Sequence, residues 1–180
     1  MNLHSLIVDD FLPDFPAWRQ WADGCRYEDE LNAVDGVTYP LICRAVPRYG
    51  MSKRLSIIMG RDITLNSCFL RMSPSGAPVP HQAHHDASMG HYSCMVYMNR
   101  PEHCRGGTAL VEHVSGACDA QTWRMDANTP ERWRVLSLCD MAPNRAFIFR
   151  ADLMHRAEPV GGFGSTPEDA RLVMTAFFSI

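Results

Sequence analysis

The sequence predicts a mainly β fold, a jelly roll behind an N-terminal helical layer. From Leu65 onward, short segments rich in apolar, aromatic and β-branched residues alternate with Gly, Pro, Asn or Asp punctuation. Helical spacing of apolar residues gathers in the first third of the chain. A hydrophobic fraction of 46% over 180 residues supports one sizeable core rather than two. The expectation is a single domain, 1–180, in which residues 1–64 pack on a core built from 65–180.

The first segment, His4 to Phe11, alternates loosely as a strand does and then meets Pro13. Phe15, Trp18 and Ala22 come next at helical spacing until Gly24, which predicts a helix. Residues 25–50 are mixed, with extended character around Tyr39 to Val46, and Leu55, Ile58 and Met59 mark a second short helix ending near Gly60. Eight strands are then expected: Leu65 to Met72, Val79 to Ala87, Tyr92 to Met98, Thr108 to Glu112, Trp133 to Leu138, Ala146 to Phe149, Leu153 to Ala157 and Arg171 to Ser179. Eight strands beside a helical layer fit a jelly roll. Ser115 to Pro130 has no clear period and is read as an excursion at the barrel rim.

Composition narrows the function classes. A formal charge of −3 and a pI near 6.2 provide no global basic field, so neither nucleic acid nor an anionic membrane is an expected partner. No run of eighteen apolar residues occurs, and Asp9 and Asp10 stand where a signal peptide would not place acids, so a cytoplasmic location is expected. The seven cysteines contain no CxxC pair and sit in apolar stretches, as small core residues do. Five of the eight histidines fall between positions 81 and 103, and the chemistry is sought there.

In a strand, side chains at i and i+2 project to one face, so His84 and Asp86 converge while His85 points away. His155, in its own short predicted strand, can supply a third ligand from a neighbour. Two imidazoles and one carboxylate on one face of an octahedron leave coordination sites open, the arrangement suited to non-haem iron(II) and oxygen. A lone HxD triplet is weak evidence. It gains force from the motifs that succeed it along the chain, in order Tyr97-Met98-Asn99, Gly106-Gly107-Thr108, Pro143 to Phe149 leading into His155, and Arg171 opening a final apolar strand.

With those motifs, residues 65–180 resemble the iron(II)- and 2-oxoglutarate-dependent oxygenase superfamily, and within it the prolyl-hydroxylase-like branch. Ile7-Val8-Asp9-Asp10-Phe11-Leu12 looks like that branch's first strand and helix entry. The resemblance implies a double-stranded β-helix, the jelly-roll variant shared with cupins. It implies Fe(II) held by His84, Asp86 and His155, with 2-oxoglutarate and dioxygen as co-substrates. Arg171 would pair with the distal carboxylate of the oxoacid, since a guanidinium grips a carboxylate through two parallel hydrogen bonds. Tyr97 stands where the family's tyrosine touches the oxoacid, and Thr175, on the same strand face as Arg171, would line the pocket. The implied reaction is hydroxylation of an unactivated carbon in an amino acid, a peptide or a small metabolite, coupled to decarboxylation of 2-oxoglutarate to succinate. A homodimer is compatible with this reading.

Arg171 lies sixteen residues beyond His155 (171 − 155), with Gly161-Gly162-Phe163-Gly164 between them, a longer interval than in the closest-looking members. If that loop does not bring the two together, Arg150 or Arg156 becomes the substitute anchor. The other polar residues have plainer readings. His81, His91, His103 and His113 are expected at solvated loops or rims, Gly106 and Gly107 as a turn into a strand, and Arg71, which could reach an acidic substrate, is read in preference as a bridge to a surface carboxylate. Two rival functions remain open on the sequence: a cupin-like metalloenzyme with the same ligands and no oxoacid, and a non-catalytic jelly-roll binding module.

Overall fold

The computed structural model describes residues 4–32 and 36–180. Ten strands and three α-helices are formed among them: β1 Ser5–Val8, α1 Phe15–Asp23, β2 Glu28–Leu31, β3 Thr38–Cys43, α2 Arg48–Met59, β4 Thr64–Ser73, β5 Tyr92–Tyr97, β6 Gly107–His113, α3 Ala120–Asp126, β7 Trp133–Asp140, β8 Ala146–Arg150, β9 His155–Glu158 and β10 Arg171–Ser179. The strands make two antiparallel sheets, a large one in the order β1-β8-β5-β10-β4-β3-β2 and a small one in the order β7-β6-β9.

From β4 onward the chain alternates between the sheets. It leaves β4 in the large sheet, passes beside β9 in the small one through the His84 bridge, and returns as β5. The next two strands lie in the small sheet, then β8, β9 and β10 fall alternately in the large, small and large sheets. This is the winding of a double-stranded β-helix, and it agrees with the predicted jelly roll behind helices.

The central strands β5, β8 and β10 of the large sheet are buried on both faces. Cross-strand partners Leu70 and Met174, Met174 and Val96, and Cys94 and Ile148 share one face, which packs on Phe11, Leu12, Ala22, Met51 and Leu55 from the helical layer. The opposite parity carries Ser93, Met95 and Tyr97 on β5, Phe147 and Phe149 on β8, and Arg171, Val173 and Thr175 on β10. That face looks into the barrel, where Tyr97, Phe147, Phe149 and Val173 form a second core with Cys139 and Phe163. Strand parity therefore decides which residues can reach a site inside the barrel.

Helix α1 begins after Pro13, with Pro16 in its first turn, where a missing N–H costs nothing. Helix α2 ends on Gly60 in the left-handed region (φ 64°), whose N–H closes on the Ile57 carbonyl. Strand β2, sequence EDEL, gave no apolar signal because it is an edge, and acidic side chains suit an edge that must not recruit another strand. All seven cysteines are free. Among the described residues no helix is long and apolar enough to cross a membrane.

One expected strand is absent. Val79 to Ala87 forms no ladder, only an isolated bridge between His84 and His155. Pro78 and Pro80 remove two backbone donors from its approach, and a proline-interrupted segment cannot pair continuously.

Candidate metal centre

His84 is fixed at the bridge, its N–H donating to the His155 carbonyl (3.0 Å) and its carbonyl accepting from the His155 N–H (2.8 Å). Asp86 is fixed two residues on by its N–H to the Ala151 carbonyl (2.7 Å). The missing ladder partner on the other side is replaced by the rim excursion. Ala83 N–H donates to the Ala127 carbonyl (2.9 Å), Gln82 N–H donates to Asn128 Oδ1 (3.0 Å), and Asn128 Nδ2 donates to the Pro80 carbonyl (3.0 Å). The aperiodic stretch thus holds the segment bearing the first two candidate ligands.

His113 anchors that excursion. It is buried, with Asp126 Oδ2 2.9 Å from Nε2 and the Ser115 hydroxyl 2.6 Å from Nδ1, and Trp133 Nε1 donates to the Asp126 carbonyl. The solvated rim position expected of His113 is not what forms. Replacing Asn128 with alanine is expected to weaken metal binding by about tenfold, the lower end of what outer partners of a metal site contribute. The melting temperature should fall by only a few degrees (~2–4 °C), as for about 1 kcal/mol of lost hydrogen bonding. Isothermal titration with Mn(II) checks it, and an unchanged affinity would reduce the excursion to a cover.

Among the described residues, His84, Asp86 and His155 are the group of three whose ligand atoms could hold a metal ion, all lying within 4.8 Å of one another. Asp86 Oδ1 is 3.7 Å from His84 Nε2, and Asp86 Oδ2 is 3.3 Å from His155 Nε2. His155 is 2% exposed and Asp86 8%, while His84 is half-buried and marks the open side. His155 Nδ1 lies 3.0 Å from the Leu153 carbonyl, which can only accept, so the ring proton sits on Nδ1 and the Nε2 lone pair points at the cluster. That Nε2 is buried without a hydrogen-bond partner, with Asp86 Oδ2 3.3 Å away. An orphaned imidazole lone pair beside a carboxylate is what a divalent cation would satisfy.

The electrostatics suit that use. Burial, helped by the neighbouring His155, lowers His84 to about 4 against the pull of Asp86, so its imidazole is neutral at pH 7. Burial works against the Asp86 charge, yet the two imidazoles and the Ser93 hydroxyl outweigh it and hold the carboxyl well below the usual range. For His155, burial is outweighed by Asp86, whose charge favours positive charge at this corner and so raises the imidazole above its ordinary value; a cation and that proton would compete for Nε2. Ser93, which donates to Asp86 Oδ2 (2.9 Å), was not foreseen in the sequence; a lone polar residue on the inner parity of an apolar strand was the available signal.

Arg171 starts β10 on the inner parity and is 7% exposed. One terminal nitrogen donates to the Gly107 carbonyl (3.2 Å), its Nε is buried without a partner, and no carboxylate pairs with it among the described residues. Burial pushes it down to about 10, which leaves it cationic at neutral pH. The long interval after His155 is taken up by a loop that folds Phe163 into the inner core. Phe163 N–H donates to the Ser73 carbonyl and Arg171 N–H to the Phe163 carbonyl, while a side chain at Gly162 would strike the Ser73 carbonyl at 2.2 Å. The two substitutes are engaged elsewhere, Arg150 with Asp152 and Arg156 with Glu158.

Thr175 is buried on the same face, its hydroxyl donating to the Met95 sulfur (3.4 Å). Tyr97 is fully buried and spends its proton on the Cys139 carbonyl (3.0 Å), bridging the two sheets beside Val173. Gly106 and Gly107 do more than turn the chain. A Cβ at Gly107 would lie 1.9 Å from the Cys139 carbonyl oxygen, and one at Gly106 2.1 Å from that of Glu158, so bare backbone is what lets β6 sit between its neighbours.

His85 faces outward against Trp123, as strand parity predicts (ring centroids 5.7 Å apart). The loops at Met89 to His91 and at Arg100 to Arg105 lie at opposite ends of β5. Since Ser93 touches Asp86, only the first borders the cluster, where Ala87 to His91, Asn66, Ser67 and Ser179 line an open groove.

No protein-family model and no curated protein matches this sequence. Solved structures do match, at low identity. AviO1 from Streptomyces viridochromogenes superimposes with a TM-score of 0.60 at 12% identity, covering 98% of this chain and 90% of that one. SnoN, a non-haem α-ketoglutarate-dependent epimerase from nogalamycin biosynthesis, gives 0.61 at 16% identity over 98% and 78%. Iron-bound HygX from Streptomyces hygroscopicus gives 0.59 at 14% identity over 98% and 82%. SnoN has been solved with Fe3+, α-ketoglutarate and nogalamycin RO, and HygX with nickel and 2-oxoglutarate. This chain has the double-stranded β-helix fold of those three structures, with a His-Asp-His cluster inside its barrel.

Proposed function

We propose that the protein is an iron(II)- and 2-oxoglutarate-dependent oxygenase in which His84, Asp86 and His155 hold the metal and Arg171 anchors the oxoacid. The observation that carries this reading is a pair of unsatisfied buried atoms inside one barrel: His155 Nε2 in the ligand cluster and Arg171 Nε on the inner face of β10. A divalent cation would satisfy the first and a carboxylate the second. A cupin-like enzyme without an oxoacid would leave a buried guanidinium with no counter-ion, at a cost of several kcal/mol.

Bound iron would couple activation of dioxygen to conversion of 2-oxoglutarate into succinate and carbon dioxide. The protein's own residues do the positioning. The Leu153 carbonyl fixes the His155 tautomer, Ser93 orients Asp86, and Arg171 with Thr175 aligns the co-substrate along β10. Tyr97, Phe147 and Phe149 keep water from the inner side.

The substrate is a small molecule, reached from the half-exposed His84 side. The complex of SnoN with nogalamycin RO supports a small molecule over a macromolecule. Hydroxylation is favoured over halogenation, because the Asp86 carboxylate takes the coordination position that a halide would need. The test is uncoupled turnover: with Fe(II), 2-oxoglutarate and air, succinate should form catalytically. Protein that retains iron but makes no succinate above a protein-free control would favour the cupin-like reading.

A further inference from the structure

A second arginine enters the same barrel. Arg71 on β4 lies directly across from Val173 on β10, so it has the inner parity of Tyr97, Arg171 and Thr175. The surface carboxylate expected to hold it is not there: among the described residues no acid pairs with Arg71, and its Nε is buried without a partner. Its guanidinium leans over the Tyr39 ring on β3 (5.6 Å to the centroid). A ring face offsets some of the charge but accepts no directed N–H hydrogen bonds.

The two guanidiniums point to different places. Arg171 reaches across to the Gly107 carbonyl in the small sheet, whereas Arg71 leans along the large sheet toward β3. One carboxylate clamped by Arg171 would therefore leave Arg71 unsatisfied. Arg71 lies two ladder positions from the Arg171–Ser73 pair, with its guanidinium over the Tyr39 ring of β3.

We propose that Arg71 receives the substrate's own negative charge, a carboxylate on a small molecule lying over β4 and β3. This rests on the oxygenase reading for its term "substrate", while the anion site itself does not. One planar guanidinium matches a singly charged carboxylate, which it can hold through two hydrogen bonds. The substrate class is thus a carboxylic acid, amino acids included, rather than a neutral metabolite.

The test uses the whole chain loaded with Mn(II) and saturating 2-oxoglutarate, so that Arg171 is occupied. Acetate is the probe and acetamide its neutral match, at constant ionic strength. Acetate should raise the melting temperature above the acetamide control in the wild type, and the difference should vanish in Arg71→Met. Arg71→Gln, which keeps amide donors without charge, carries the same expectation should the methionine variant fold poorly. Affinity for 2-oxoglutarate should stay within about twofold in both variants, whereas a loss of about tenfold or more would make Arg71 part of the co-substrate clamp and overturn the proposal. Equal responses to acetate and acetamide in the wild type would also overturn it. If the wild type binds no 2-oxoglutarate, the oxygenase reading fails, and the acetate comparison in an Arg171→Met background still decides whether Arg71 is an anion site.

Discussion

Asp86→Ala is expected to abolish succinate formation, by on the order of a thousandfold or more, while the fold survives. Outer partners of metal sites contribute about 10–100-fold, and a charged ligand contributes more than a partner does. Asp86 is the anion between two imidazoles, 3.7 Å from His84 Nε2 and 3.3 Å from His155 Nε2, so it supplies the charge that attracts a dication. Its removal costs the barrel the Ser93 hydrogen bond and little packing. Iron content after desalting, read beside a circular dichroism spectrum, separates loss of metal from loss of fold. A variant that kept one iron per chain and wild-type turnover would remove Asp86 from the ligand set.

The second large effect is expected at Arg171. Arg171→Met should raise the KM for 2-oxoglutarate by about 30–150-fold, equivalent to about 2–3 kcal/mol for a charge-assisted hydrogen-bonded pair. Iron affinity should change little, since Arg171 reaches toward Gly107 rather than toward the ligand cluster. The variant should fold at least as well as the wild type, because an unpaired buried cation gives way to an apolar side chain of similar length. Steady-state kinetics at varied 2-oxoglutarate concentration check it. An unchanged KM would transfer the anchor to another residue, and Arg150 and Arg156, already paired with Asp152 and Glu158, are poor replacements.

The barrel was legible where packing and local pattern agree. Strands β4 to β8 and β10 each combine apolar residues with a Gly, Pro, Asn or Asp boundary, and these and β9 formed close to their expected limits. The HxD segment was legible in its chemistry and misread in its backbone. Alternation at positions 84 and 86 correctly placed both side chains on one side, but Pro78 and Pro80 deny the segment a ladder, and Asn128 and Ala127 replace it. Those supports lie over 40 residues away in a stretch without periodicity, so no local signal connects them.

Arg171 was legible through its place at the head of the last strand. The way Phe163 and Gly162 accommodate its spacing depends on a close approach to Ser73 that a sequence does not display. Arg71 was misjudged for the opposite reason. A strand arginine is usually a solvated one, and only the register against Val173 turns this one inward.

The most direct test of the central claim is an anaerobic titration of the Fe(II)-loaded protein with 2-oxoglutarate, monitored by visible absorption. An oxoacid that chelates iron through its keto and carboxylate oxygens produces a metal-to-ligand charge-transfer band. The band should grow to saturation at one oxoacid per chain, shift to higher concentration in Arg171→Met and be absent in Asp86→Ala. Iron that binds at one per chain and gives no such band at saturating 2-oxoglutarate would contradict the account.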